Sequence, residues 1–261
     1  MNRSILFAAF CALFSVLNPS HAQTDDSSVT SLGRIEPKGG VIALAGPSGS
    51  SAVITQLNVE EGEQVEQGQV LATLDSYAKR KADLDRLQTI LNNATKQLNR
   101  RENLSRSAAI SEDQLDEARL NVQVAKADIA VARAELNQAQ IKSPVAGQVL
   151  EIYARPGERI GENGLLELGN TQSMYVVAEV YETDISKVRI GQRATITSDA
   201  FPMEITGKVE RIGLKIGKID VLDTDPISKA DARVIETYIA LDNSEAVARF
   251  TNLQVEVSIE P

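Results

Sequence analysis

The chain has 261 residues, with 27 Lys and Arg against 36 Asp and Glu, a net charge of −9. That acidity excludes non-specific nucleic-acid binding, which needs basic surface to displace counterions from phosphates. Aromatic residues are only 4 % and Trp is absent, so stacking platforms for bases or sugars are excluded as well.

Residues 1–22 read as an export signal of the Sec type. Arg3 supplies the positive start, and Ile5 to Leu17 is an apolar run too short to span a bilayer. Pro19-Ser20-His21-Ala22 places small residues at −1 and −3 of a cut after Ala22. Retention of the segment as an anchor is the alternative reading. Cys11 and His21 are the sole Cys and His, and both fall inside it. A chain beginning at Gln23 therefore has neither. Cys–His and Ser–His–Asp catalysis are excluded, as is zinc held by Cys or His. No catalytic residue, cofactor or metal site is expected.

Residues 23–40 are polar, then punctuated by Gly and Pro, and read as a leader. Residues 41–75 break into short strands, with Val53, Ile54, Leu57, Val59, Val65, Val70, Leu71 and Leu74 as apolar positions. Gly62 and Gly68 mark turns, with no ligand role required of them.

Residues 76–140 contain no Gly and no Pro. Leu84, Leu87, Leu91, Ala94 and Leu98 are spaced 3-4-3-4, the a/d spacing of a coiled coil. Leu115, Ala118, Val122, Ala125, Ile129, Ala132, Leu136 and Ala139 repeat it without a fault. Two helices with one seam each predict an antiparallel hairpin, its arms roughly 45 Å long. Ser111 followed by Gln114 reads as a capping box that opens the second helix. The turn then lies near Ser105 to Ile110. Asp75 is expected to cap the first helix, and Lys79-Arg80-Lys81 to be its solvated start.

Residues 141–170 return to short strands. At an offset of 95 they repeat the first β segment: Ile54 matches Val149, Gly62 matches Gly157, Glu63 matches Glu158 and Leu71 matches Leu166. Each half has an apolar face it cannot bury alone, so the two are expected to close one sandwich around the base of the hairpin. Residues 171–261 hold strands at Met174–Val180, Ala194–Thr197, Gly207–Ile212, Val234–Leu241 and Leu253–Ile259, with a helical turn at Asp184–Val188. They read as a small antiparallel barrel or sandwich. Asp223, Asp225 and Asp231 read as a surface loop, with a weak cation site as the lesser alternative.

The segments Val59-Glu60-Glu61-Gly62-Glu63-Gln64-Val65 and Ile141-Lys142-Ser143-Pro144-Val145-Ala146-Gly147 resemble the two halves of biotinyl/lipoyl domains. Carrier domains keep a modified Lys in a tight hairpin between the halves, and here residues 76–140 replace it. The order half-lipoyl, hairpin, half-lipoyl, barrel, across roughly residues 33–261, resembles the HlyD family of periplasmic adaptors, or membrane fusion proteins. Gly33-Arg34-Ile35-Glu36-Pro37 and Asp231-Ala232-Arg233-Val234 further resemble DevB-type adaptors of ABC exporters.

The resemblance implies an α+β fold. A split lipoyl-like sandwich (41–75 and 141–170) carries the inserted hairpin (76–140), and a β-barrel (171–261) follows with a membrane-proximal domain absent or reduced. It also implies a non-enzymatic periplasmic subunit that links an ABC-type inner-membrane transporter to a TolC-like outer-membrane channel, assembled as a homo-oligomeric ring of six. Family members that bind such channels carry Arg-x3-Leu-x6-Ser at the hairpin tip, which Arg100, Leu104 and Ser111 match. The bland readings of the same residues are a solvated Arg, a Leu closing the coil and an N-cap. An adaptor of a proton-driven RND pump and a non-transport coiled-coil scaffold are the rival functions.

Overall fold

The computed structural model describes residues 28–47, 52–105, 110–218 and 233–261. The segment 1–22, Asp223, Asp225 and Asp231-Ala232 lie outside them. In chain order the first half-sandwich follows one strand of the barrel. β1 is Val29–Pro37, β2 Ile42–Leu44, β3 Ile54–Leu57, β4 Gln64–Val65 and β5 Val70–Leu74. The helices α1, Tyr77–Ser105, and α2, Glu112–Gln138, come next. β6 Gln140–Lys142, β7 Gly147–Ile152 and β8 Leu166–Gly169 complete the sandwich. β9 Met174–Tyr181, β10 Arg193–Ser198, β11 Phe201–Lys218, β12 Arg233–Leu241 and β13 Gln254–Ile259 follow, with a 3-10 turn at Ile185–Lys187. The fold is α+β, with a helical hairpin inserted in a split sandwich.

The leader expected at 23–40 is corrected from Val29 to Pro37: this segment is β1, and it completes the barrel. The sheet closes in the order β1-β13-β10-β11-β12-β9, and all its pairings are antiparallel. The inward positions of β1 are Val29, Ser31, Gly33, Ile35 and Pro37. Two large aliphatics in five give a weak alternation, which is why the segment reads as a leader. Gly33 is there because nothing larger fits: a Cβ would stand 2.9 Å from both Val176 Cγ1 and the Val177 carbonyl. The barrel interior is filled by Ile35, Val176, Val180, Ile196, Ile239 and Ile259, each at most 1 % exposed. At about 25 cal/mol per Å² of apolar surface, this closed interior is the main stabilising term of the domain.

The sandwich has a four-stranded sheet, β2-β8-β7-β4, over a three-stranded one, β3-β5-β6. The repeat at offset 95 appears as exchanged hydrogen bonds between the halves. Gly157 N–H donates to the Ile54 carbonyl at 2.8 Å, and Gly62 N–H to that of Val149 at 2.8 Å. Ile54 N–H donates to Glu158 at 3.0 Å, and Val149 N–H to Glu63 at 2.9 Å. Even the turn caps repeat: Glu63 accepts from Glu60 N–H and Glu158 from Arg155 N–H. Gly62 and Gly157 sit at φ +86° and +91°, a conformation that a Cβ disfavours. Ile54, Leu71, Leu165, Leu166 and Leu168 form the shared core, each fully buried. Neither half could bury these alone.

Two linkers, 38–41 and 170–173, join the sandwich to the barrel and are tied together by Lys38 N–H donating to the Ser173 carbonyl at 2.7 Å. Pro37 of the barrel packs on Gly169 of the sandwich so closely that a Cβ there would fall 2.5 Å from the proline ring.

In the hairpin, Ala118, Val122, Ala125, Ile129 and Ala132 of α2 are buried in the seam. Leu84, Leu87, Leu91, Ala94 and Leu98 of α1 face them but are only half-buried. A helix with one neighbour covers a leucine on one side only. The alanines let the two helices approach, and water keeps the outer edge of each leucine.

Candidate functional site

The tip is built by the end of α1 and the start of α2. Arg100 and Arg101 are adjacent in sequence and take different roles. Arg101 spans the hairpin: its Nη1 donates to the Gln114 carbonyl at 2.6 Å and pairs with Glu117 Oε2 at 3.1 Å. Arg100 is exposed and has no hydrogen bond or ion pair among the described residues. Two donors in a rigid fork suit Arg101 to a clamp and leave Arg100 able to meet an external carbonyl or carboxylate.

Leu104, one turn further on, is 42 % exposed. Ser111 is the N-cap of α2, with φ −78° and ψ 158°. Its Oγ accepts from Gln114 N–H at 3.4 Å, and its own N–H donates to Gln114 Oε1 at 3.3 Å. Both halves of the capping box are therefore present. Glu112 and Asp113 in the first turn complement the positive end of the helix dipole. The three residues Arg100, Leu104 and Ser111 thus stand at one end of the hairpin. This end of the hairpin presents a guanidinium, an apolar side chain and a hydroxyl.

A second cluster lies on the outer face of the barrel, and the sequence reading did not single it out as a site. Arg34 Nε donates to Glu36, Nη1 to Glu179 at 3.3 Å and Nη2 to Glu236 at 3.1 Å. Burial opposes the charge of Arg34, yet Glu36 and then Glu236 hold its pKa above the usual guanidinium value. Tyr238 donates its hydroxyl to Glu236 at 2.6 Å, while Arg211 lies 3.4 Å over the Tyr238 ring. The Tyr238 hydrogen bond, then Arg34, hold the Glu236 carboxyl below the usual carboxylate range, against a smaller opposing effect of burial. The string Gly33-Arg34-Ile35-Glu36-Pro37 thus has a structural account: one close strand contact and one ion cluster. Alternate charged residues on a strand were its only signal in the sequence.

A groove of about 550 Å³ borders this cluster, lined by Glu36, Lys38, Tyr175, Glu210, Arg211 and Tyr238. Lys38 pairs with Glu210 at 3.7 Å and sits 5.3 Å from the Tyr175 ring centre. Its charges are matched within the barrel wall. Among the described residues no group of His, Cys, Asp or Glu is arranged to hold a metal ion. No helix among them is long and apolar enough to cross a membrane.

Residues 76–142 match the family model described as "RND MFP, alpha-helical hairpin domain", where MFP denotes membrane fusion protein. The chain is 33 % identical to the uncharacterised protein YdhJ of Escherichia coli (strain K12), over 64 % of this chain and 63 % of YdhJ. The matched region spans between 35 % and 63 % of the length of such curated relatives. In fold, the chain resembles a MacA–MexA chimera carrying the Pseudomonas aeruginosa MexA α-hairpin domain. The TM-score is 0.73 at 24 % identity, over 90 % of this chain and 79 % of the chimera. It also resembles the membrane fusion protein Spr0693 of Streptococcus pneumoniae R6. There the TM-score is 0.67 at 19 % identity, over 89 % of this chain and 99 % of that one. The hairpin resembles that of membrane fusion proteins, and over most of the chain the fold resembles theirs.

Proposed function

We propose that the chain is the periplasmic adaptor of a tripartite efflux or secretion system, linking an inner-membrane transporter to a TolC-like outer-membrane channel. One observation carries the reading. The hairpin leaves the sandwich on the side of β5 and β6, and two linkers tie the barrel to that same sandwich. The hairpin tip and the barrel surface are thus carried by one sandwich through different strands. A helical arm of 27 to 29 residues extends about 40 Å. The work is mechanical, and the energy comes from the transporter.

At the hairpin tip, Arg100, Leu104 and Ser111 dock the channel. Arg100 supplies direction, Leu104 an apolar knob and Ser111 the hydroxyl proton that its capping role leaves available. Copies of the chain assemble into a ring, proposed to be hexameric, in which lipoyl and barrel domains make lateral contacts. The DevB-like strings favour an ABC-type transporter, although the packing around Arg34 explains part of the first string without one. The second reading is an RND-type pump, favoured by the hairpin's match to an RND adaptor model.

In-cell cross-linking tests the bridge. Leu104→Cys is expected to capture an outer-membrane channel, and Val124→Cys, exposed on the arm, is not. Ile190→Cys, 69 % exposed on the barrel, is expected to capture the transporter and to identify its class. No capture from either position, with the protein exported and folded, would leave the scaffold reading in place of the adaptor.

A further inference from the structure

The seam of α1 is closed by an arginine at each extremity. Continuing the 3-4 spacing of Leu84, Leu87, Leu91, Ala94 and Leu98 by one step in each direction reaches Arg80 and Arg101, both half-buried. Each donates through Nη1 to a backbone carbonyl of α2, Arg80 to Glu135 and Arg101 to Gln114. Three heptads separate the two arginines, and three heptads separate the two carbonyls. A helix carbonyl keeps a second lone pair beside the one its own helical bond uses, so neither contact breaks α2.

The two ends are not equivalent. At the base, β5 and β6 pair with Thr73 opposite Gln140, and Leu74 N–H donates to the Ala139 carbonyl at 3.0 Å. The sandwich therefore aligns the helices there without Arg80. At the tip the alignment passes through side chains. The seam between is made of alanines, valine and isoleucine against half-buried leucines, which pack with little directional preference. A polar residue at one seam position specifies register, because a single alignment satisfies it. Gln114 connects that alignment to the tip. Its carbonyl accepts from Arg101, while its N–H and Oε1 meet the Oγ and N–H of Ser111 in the capping box. Glu117 adds an ion pair to Arg101 at 3.1 Å. One residue thus joins the guanidinium next to Arg100 with the cap that holds Ser111.

We propose that Arg101 and Gln114 are positioning residues for docking at the hairpin tip. They act through Arg100 and Ser111 rather than by touching the partner. The sequence of bonds from Arg101 through Gln114 to Ser111 fixes the end of α1 against the start of α2. Arg100, Leu104 and Ser111 then meet a partner as one rigid pattern. Without it the helices slide and rotate against each other within the limits of the turn, and the three groups no longer match one surface. The inference rests on the docking reading above for its partner, whereas the placement of one helix end against the other is measurable without a partner.

Arg101→Leu tests the proposal, because it extends the apolar seam while removing the tie and so separates placement from stability. Spin labels at Asn103→Cys and Glu112→Cys, exposed positions on the two helices, are placed in the full chain carrying Cys11→Ser. They should give one narrow distance distribution, which Arg101→Leu broadens while far-UV circular dichroism shows the helices intact. In cells, capture of the channel at Leu104→Cys should fall about fivefold in the same variant, the worth of one hydrogen bond. Arg80→Leu removes the same kind of bond at the base and should leave both readings at the native value. An unchanged distribution in Arg101→Leu, or undiminished capture, would overturn the proposal. So would broadening that comes with lost helix, or equal effects from Arg80→Leu, which would reduce Arg101 to general support of the hairpin. No capture even with Arg101 in place, alongside a distribution that Arg101→Leu broadens, would sink the adaptor reading and leave the positioning of the tip standing.

Discussion

The barrel and the hairpin solve the burial problem in opposite ways. In the barrel each strand is hydrogen-bonded on both sides and the sheet has no edge around its circumference. Ile35, Val176, Ile196 and Ile239 have no exposure at all. In the hairpin each helix has one neighbour. The buried row on α2 consists largely of Ala and Val, the leucines of α1 are half-buried, and Leu120, Val124 and Val131 face outward. A closed sheet completes its own core, whereas a pair of helices leaves apolar surface for something else to cover. The hairpin is therefore the part of the molecule whose apolar pattern exceeds what its own fold buries.

The contrast can be broken by mutation. Ile239→Ala should show the largest effect, a loss of about 2–5 kcal/mol in urea unfolding, because it opens a cavity in a closed interior. Leu91→Ala in the half-buried seam should lose less, about 1–2 kcal/mol. Equal losses would show that the hairpin is as self-sufficient as the barrel, and the contrast would fail. Ser111→Ala removes the acceptor for Gln114 N–H and should lose about 1 kcal/mol. Hydrogen exchange should place that loss in the first turns of α2, with barrel amides unchanged.

The smallest expected effect is one of pH. Glu236 has its folded pKa lowered by the Tyr238 hydrogen bond and by Arg34. Its contribution is present above the unfolded carboxylate value, about 4.3, and is lost as pH falls through the lower folded value. Glu236→Gln should therefore lower barrel stability slightly at neutral pH, with the difference from the native chain vanishing as pH falls through the carboxylate range, so that the acid limb flattens. The side chain is 41 % exposed, and solvent screening keeps the effect small. An unaltered acid limb in a urea series would remove Glu236 from the titrating set.

Local pattern carried most of the secondary structure. The 3-4 spacing named the seam residues that α2 buries, and Ser111 with Gln114 named its start. Both signals act within a few turns of one helix, where spacing dictates which side chains share a face. The repeat at offset 95 identified the two half-sandwiches because equal turns need equal glycines. The reading of 23–40 as a leader failed because the inward face of β1 holds Ser31, Gly33 and Pro37 where an isolated strand would show aliphatics. Those residues are correct only against β9, which abuts Gly33. The outward residues Leu120, Val124 and Val131 of α2 were also present in the sequence, but one complete seam already accounted for the helix.

At the candidate site, the sequence placed Arg100, Leu104 and Ser111 at the tip. The 3-4-3-4 spacing continued three residues past Leu98 falls on Arg101 and leaves Arg100 outward, a signal the reading of the seam stopped short of. The partners Gln114 and Glu117 come only from the facing helix. By itself the sequence determined the hairpin, the internal repeat and the absence of Cys and His after residue 22, because these follow from periodicity and composition. Only the tertiary structure decided that β1 closes the barrel, that Arg34 reaches Glu179 and Glu236 and that Gln114 and Glu117 receive Arg101. Each of these joins residues on different elements. Their energy lies in packing and charge between elements, and local sequence does not encode it.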